Sequence, residues 1–442
     1  MQFDKIDKLK NITQDILQYT KQQGVSDAEV HVAVEDGFAV TVRNGELDTV
    51  EYHRDNGIGI SVYFGKKKGM VSTADFSQPA LKKAVQAACN IAKFTQEDPF
   101  VGLADKNFMA KEIKNLDLYH EWEITTEQAT KIALENEAYA CNLDKRIKNS
   151  EGVTVSTHKN FYVYGNTHDF VGVIPSTRHS AGYSLIAEQD GEMERDYDYT
   201  VACHVDDLRN FRTVAKQAVQ KAVSRLGAKK ITTQKRPVIF AAEVAKGLLA
   251  SFIAAINGNN LYRKTSFLVD YLHKPVFAQQ VKIFENPWVK RSLNSAYFDA
   301  EGVATYRKDF VDDGVLQNYV LGSYAARKLG MQTTANSGGV FNLFVQDDKV
   351  DLRGLLKKMD TGLLITELSG HGINIVTGDY SRGAVGFWVE HGEIQYPVSE
   401  ITIAGNLRDM FLNLVAVGND IDERGNINTG SILLEEMMIA GR

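Results

Sequence analysis

Apolar residues at Ile6, Leu9, Ile12, Ile16 and Leu17 recur at helical spacing, which predicts an opening helix that stops at Gly24. The period then changes to two. Val30, Val32 and Val34 alternate with polar or small residues, and Asn44-Gly45, between two strand-like runs, marks a tight hairpin turn in which both central residues need positive φ. Gly57 to Phe64 reads as another strand. A second helix begins near Ser77, with Pro79 tolerated in its first turn and Leu81, Val85, Ala88 and Ala92 as its apolar stripe. A third runs from about Thr126 to Leu143, and Thr125 and Gln128 have capping-box spacing. From Val153 to His204 the alternation, with Asp190-Gly191 as a second turn, predicts an antiparallel meander. A fourth helix carries Leu208, Phe211, Ala215, Ala218 and Ala222 on one face and stops at Gly227.

The short basic stretch Lys229 to Arg236 is read as a linker, dividing the chain into units of 1–228 and 236–442. The second unit opens with a strand, Pro237 to Ala241, and a helix over 242–257. The rest is mainly strand, with turns at Asp313-Gly314 and His391-Gly392 and helices at Tyr324 to Leu329 and Asp351 to Met359. Pro397 marks its strand as an edge or a bulge. The expected fold class is α+β: helices on an antiparallel sheet first, then a mainly antiparallel, barrel-like domain.

Composition narrows the function. The 442 residues include 44% hydrophobic and 24% charged side chains, an ordinary globular balance that can bury a large core. The net charge is -6 and the lysines and arginines are scattered, which argues against nucleic acid as a partner. Cys89, Cys141 and Cys203 are too few and too far apart for a disulfide framework or a zinc ribbon. Free thiols, no apolar leader and no apolar run of ~18 residues predict a cytoplasmic protein without a membrane anchor.

Candidate chemistry is sparse. Gly57-Ile58-Gly59 lacks the third glycine of a dinucleotide fingerprint and enters a strand. In Gly378-Asp379-Tyr380-Ser381-Arg382-Gly383 the serine stands one residue too late for a nucleophile elbow, and a strand follows. Glu367, His371 and Asp379 form the best local set of metal-ligand types, although Gly370 and Gly372 flank the histidine and zinc catalysis needs three protein ligands. His158, His168, His179 and His204 fall in the meander, where nothing in the sequence fixes their register. From Gly247 to Ile256 the fifth helix is apolar on all sides, which predicts burial, and it has no His, Cys or Asp.

Several stretches nevertheless form a recognisable set. They are Arg236-Pro237-Val238-Ile239-Phe240, Leu261-Tyr262-Arg263-Lys264-Thr265-Ser266-Phe267, Phe298-Asp299-Ala300-Glu301-Gly302-Val303, Thr377 to Ala384, Tyr396 to Asn406 and Val417-Gly418-Asn419-Asp420. On these the chain resembles the TldD/PmbA, or modulator of DNA gyrase, family, and within it the PmbA (TldE) branch. The resemblance implies a place in a zinc metalloprotease assembly. TldD-like members carry His-Glu-x-x-x-His on the helix after the Pro-Val strand, and a cysteine after Val-Gly-Asn-Asp. Here the matching helix has Ala250, Ser251 and Ala255, within about one residue of register, and Asn428-Thr429-Gly430 occupies the cysteine region.

The resemblance therefore implies a chain with no catalytic residue and no metal of its own, zinc being expected in a TldD-like partner. It implies a heterodimer with that partner, or a homodimer, enclosing a chamber where unfolded peptides are cleaved. Its associated roles are peptide antibiotic maturation and proteolysis of a toxin–antitoxin component. Tyr262, Arg263, Lys264, Asp379, Tyr380, Ser381 and Arg382 are the expected peptide or interface contacts, with chemistry suited to a peptide backbone. Two rivals stand beside this reading: an independent hydrolase using Glu367, His371 and Asp379, and a non-enzymatic regulatory protein acting without a peptide channel.

Overall fold

The computed structural model describes residues 2–441. Helix α1 (Gln2–Gln22) leads into strands β1 (Asp27–Arg43), β2 (Glu46–Phe64) and β3 (Lys67–Thr73), then helix α2 (Gln78–Phe94). After an extended connection come α3 (Thr126–Cys141), β4 (Ile147–Asn166), β5 (Phe170–Gln189), β6 (Glu192–Ala202) and α4 (Phe211–Ser224). The six strands form one antiparallel sheet in the order β3-β2-β1-β4-β5-β6. One end of it buries Val32, Ile60 and Val163 against Leu9, Ile16 and Val85 of α1 and α2. The other buries Val40, Val155 and Leu185 against Ala133 of α3 and Val214 and Ala218 of α4.

The predicted turn chemistry explains these boundaries. Asn44 and Gly45 have φ of 54° and 80°, and Asp190 and Gly191 have 53° and 83°. Both turns are the type whose twist matches the flanking strands. The backbone amides of Asn44 and Gly45 also donate to the buried Glu137 carboxylate of α3, at 3.0 and 2.7 Å, fixing the hairpin tip under that helix. The Thr125–Gln128 capping box starts α3 as expected.

The strands are longer than the sequence predicts. The strand-like run after Asn44-Gly45 and the strand from Gly57 are one continuous β2 from Glu46, a continuity hidden in the sequence because Glu46 to Asn56 is largely exposed and shows no apolar alternation. The fourth helix starts at Phe211 under an Asn210 cap, so Leu208 lies outside it.

The second half continues through β7 (Gln234–Phe240), α5 (Ala242–Ala255), α6 (Gly258–Tyr262), β8 (Ile283–Glu285), β9 (Lys308–Asp312), β10 (Val315–Leu316) and α7 (Ser323–Lys328). Then come β11 (Leu343–Val345), α8 (Leu352–Met359), β12 (Gly362–Ser369), β13 (Asp379–Glu390), β14 (Glu393–Asn406), α9 (Leu407–Leu412), β15 (Leu414–Val417), β16 (Ile427–Asn428) and β17 (Ile432–Ala440). β14-β13-β12-β7-β17 closes through a β14–β17 pairing into a five-stranded barrel, with β12 and β7 parallel and the other pairs antiparallel. A second, five-stranded sheet runs β10-β9-β8-β11-β16. The fold is thus α+β, with a helix-covered antiparallel sheet followed by a barrel-containing half. Pro397 sits beside a bulge of β14, where its carbonyl accepts from the Lys229 amide at 2.8 Å.

The extended connection between α2 and α3 lies against the second half. The Tyr324 hydroxyl donates to Asp98 at 2.6 Å, Arg327 Nη1 donates to the carbonyls of Phe100 and Gly102 at 2.9 and 3.0 Å, and Arg291 pairs with Asp117 at 2.7 Å.

Candidate functional site

Helix α5 sits against the barrel, with Ala245, Leu248, Leu249, Phe252 and Ala255 in the core. Phe252 meets Phe277 and Phe411 edge-on at ring separations of 4.9 and 6.0 Å. The expectation that this helix is buried on every side does not hold. Ala250 is exposed, and Gly247 and Ala254 are only partly covered. Small residues hide this open face from the sequence pattern, because alanine and glycine carry no polar group to mark an exposed position and are more often found buried.

The expected contact residues border this face in two groups. Beyond the C-terminal end of α5, Tyr262 packs edge-on against Tyr324 with ring centres 5.9 Å apart. Arg263 lies over the Tyr262 ring and donates from Nε to its hydroxyl at 3.1 Å. Lys264 has φ of 58° and is exposed. Beside the helix, Arg382 of β13 donates to the carbonyls of Leu368 and Ser369 at 3.3 and 3.4 Å. Its Nη1 stands 3.9 Å from where a Cβ on Gly247 would be. Tyr380 is buried against Phe240, and burial pushes its hydroxyl up to about 12, with the Arg382 charge opposing. Ser381 is exposed, and Asp379 accepts from the Thr377 hydroxyl at 2.6 Å. Arg382 therefore adjoins the open face of α5, whereas Asp379 is tied up in its own turn and Tyr380 faces the core.

At the N-terminal end of α5 a cleft of about 780 Å³ opens between the two halves. A network of ion pairs lines it. Asp198 of β6, 2% exposed, holds Arg424 at 2.7 Å and Arg209 at 2.9 Å. Arg424 also grips Asp422 through Nε and Nη2, at 2.8 and 3.0 Å, and lies over the Tyr199 ring at 4.4 Å. Lys246 of α5 reaches Asp422 at 2.7 Å, and Lys221 of α4 reaches Glu243 of α5 at 2.6 Å. Burial alone would raise the Asp422 carboxyl, but the hydrogen bonds from Arg424 and Lys246 win and hold it well below the usual carboxylate range. No sequence signal announced this network, since its partners come from distant segments joined only by the fold.

The structure does not assemble the local metal-ligand set. Glu367 is bound to Arg225 at 2.5 Å. It stands opposite Val385 on β13, six residues along that strand from Asp379, or about 20 Å at strand spacing. His371 is exposed beyond the end of β12. Among the described residues no three His, Cys, Asp or Glu side chains converge as metal ligands would.

Zinc also fails the test on α5 and its neighbour β16. Ala250 and Ala255 offer no donor atom, and the Ser251 hydroxyl is spent on the Gly247 carbonyl at 3.0 Å. Asn428 is buried and donates to the Leu343 carbonyl at 3.1 Å. No metal-dependent step follows from these residues.

The meander histidines serve the fold. His179 Nε2 donates to the His120 carbonyl at 2.8 Å, which leaves Nδ1 to accept from the Thr157 hydroxyl at 2.9 Å. His204 packs edge-on against His120 at 4.5 Å, His158 pairs with Glu35 at 2.9 Å, and His168 lies 3.7 Å from Asp27.

Comparison with known proteins identifies the family. Family profiles for the PmbA/TldA metallopeptidase match as domain 1 over residues 28–92, central domain over 119–226 and C-terminal domain over 233–441. The metalloprotease PmbA of Escherichia coli O157:H7 is 46% identical over 420 residues, spanning 95% of this chain and 93% of that protein. A PmbA homologue of Haemophilus influenzae is 47% identical, spanning 94% and 92%. Among solved structures, a Bacteroides thetaiotaomicron protein described as a modulator of DNA gyrase superposes with a TM-score of 0.93 at 25% identity over 99% of each chain. TldE from Thermococcus kodakarensis shares the fold at a TM-score of 0.85 and 19% identity, over 97% of this chain and all of that one. With sequence relatives of this similarity covering nearly its whole length, the chain belongs to the PmbA/TldD metallopeptidase family.

Proposed function

We propose that this chain is the non-catalytic subunit of a PmbA/TldD-type peptidase that cleaves unfolded peptides. The observation that carries the reading is α5 itself: Ala250, Ser251 and Ala255 stand where a TldD-like helix carries His-Glu-x-x-x-His, and Gly247, Ala250 and Ala254 leave one face of the helix open. A helix face this small and smooth lets another backbone approach closely. In this reading α5 and Arg382 form one wall of a peptide channel, and a TldD-like partner supplies zinc and the general base. Arg382 and Arg263 supply cationic donors to peptide carbonyls. The assembly works in the cytoplasm as a heterodimer, a homodimer being the alternative arrangement.

The test is cleavage of an unfolded peptide by the chain mixed with a TldD-like protein. Arg382→Ala should slow cleavage about tenfold while leaving the melting temperature within about 2 °C, because the side chain makes only two long hydrogen bonds. Unchanged cleavage would take Arg382 out of the channel wall.

A further inference from the structure

Strand β2 is paired on both sides along only part of its length. Ile58 to Phe64 pair with β3, and β1 pairs with the other side from Glu46 to Tyr63, with one bulge at Asp48. From Glu46 to Gly57 the side away from β1 carries no neighbouring strand, and no backbone hydrogen bond from the described residues reaches it. The direction of its groups follows from the register. Phe64 and Lys67 close the two-residue turn to β3, so the even-numbered residues of β2 bond β3. Carried back along the strand, that parity leaves the amides and carbonyls of Val50, Tyr52, Arg54 and Asn56 pointing outward.

This edge has an unusual charge for one left bare. Exposed edges are commonly guarded by lysine or proline. Glu46 to Gly57 contains neither, and it carries Glu46, Asp48, Glu51 and Asp55 against the single cation Arg54. Arg54 itself leans toward Asp36 of β1 at 3.8 Å. Tyr52 is 69% exposed and packs loosely on Phe38, with ring centres 6.4 Å apart. A second copy of the chain would bring the same acids against these, so self-pairing is opposed by like charge. An extended segment rich in lysine or arginine meets opposite charge and a full ladder of free backbone groups.

We infer that the Glu46–Gly57 edge of β2 is a docking strand for an extended, basic segment of another protein, added alongside as a further strand. The inference does not depend on the peptidase-subunit reading.

The probe is a fluorescent eight-residue peptide of alternating lysine and valine, titrated into the full chain by anisotropy, with amide hydrogen exchange on the complex. Binding should weaken with added salt, and the Tyr52, Arg54 and Asn56 amides should exchange more slowly in the complex. Tyr52→Pro removes an outward amide without touching the β1 ladder and should weaken binding about tenfold. Glu51→Lys with Asp55→Lys tests the charge at exposed positions, so the idea stays testable if the proline variant misfolds. Absence of binding, equal affinity of the proline variant, or equal binding of a glutamate–valine peptide would each overturn the inference. So would self-association of the wild-type chain that Tyr52→Pro abolishes, since that outcome assigns the edge to a second copy.

Discussion

Arg225 of the segment after α4 meets Glu367 of β12 at 2.5 Å, in one of the ion pairs that join the two halves of the chain. The same guanidinium reaches Asp196 at 3.1 Å and Glu194 at 3.4 Å, and it is 8% exposed. Burial would lower its pKa, but the Glu367 hydrogen bond and charge outweigh that and raise it. The carboxylate that looked like a metal ligand in the sequence is thus a structural partner.

The two ends of this contact should respond unequally. Arg225→Ala leaves three carboxylates around an empty space and should cost about 3 kcal/mol in a urea unfolding curve. Glu367→Gln leaves Arg225 two partners and removes a half-exposed charge, so it should cost within about 1 kcal/mol. Equal losses would contradict the assignment of Arg225 as the hub.

Asp198 should be as critical on the other side of the cleft. It is nearly inaccessible and satisfies two guanidinium groups from opposite halves of the chain. Asp198→Ala takes the most buried partner from both, leaving Arg424 with Asp422 and Arg209 with Gln217, and should lower stability by about 3 kcal/mol. Its neighbour Asp422 has a depressed folded pKa, so its contribution is fully present above the unfolded value near ~4 and is lost only as pH falls below that. Thermal melts of Asp422→Asn and the parent should therefore differ at pH 7 and converge toward pH 2.

His179 gives a second pH window. Burial, acting first, lowers its pKa, while the hydrogen bond to the His120 carbonyl opposes and the charges of His204, His120 and His158 assist. A depressed folded value means that the neutral ring stabilises the fold above the unfolded pKa of ~6.5. That stability is lost as pH falls from there through the folded value. His179→Gln should lower stability at pH 7.5 but flatten the decline between pH 6.5 and 5, as read from urea midpoints. A variant with the parent's slope would show that another group sets this decline.

Gly247 is a helix residue whose new Cβ would meet Arg382 at ordinary contact distance. Gly247→Ala should therefore gain roughly 0.5–1 kcal/mol from helix propensity alone. Differential scanning calorimetry should show the gain, and a loss would mean that the face of α5 is more crowded than the side-chain positions imply.

Much of the local structure was legible because short-range chemistry sets it. Asn44-Gly45, Asp190-Gly191 and the Thr125 cap each act within four residues and needed no tertiary context. The barrel-like character of the second half was expected and is found, but its strand order was not legible, since the β14–β17 closure depends on register. The run after Asn44-Gly45 and the strand from Gly57 were read as separate, and their union in β2 was missed because the exposed stretch between them has no apolar face. The openness of α5 was missed because alanine carries no polarity signal. The ion-pair cleft was illegible for a different reason. Arg424 and Asp198 stand 226 positions apart, and only the packed fold brings their charges together.

The metal and the chemistry should reside in a TldD-like partner and not in this chain. Zinc content and peptidase activity should be measured on the purified chain, alone and mixed with a TldD-like protein. The account predicts substoichiometric zinc and no cleavage alone, with cleavage in the mixture. Stoichiometric zinc with cleavage by the isolated chain would contradict it and place a complete metal site within this chain.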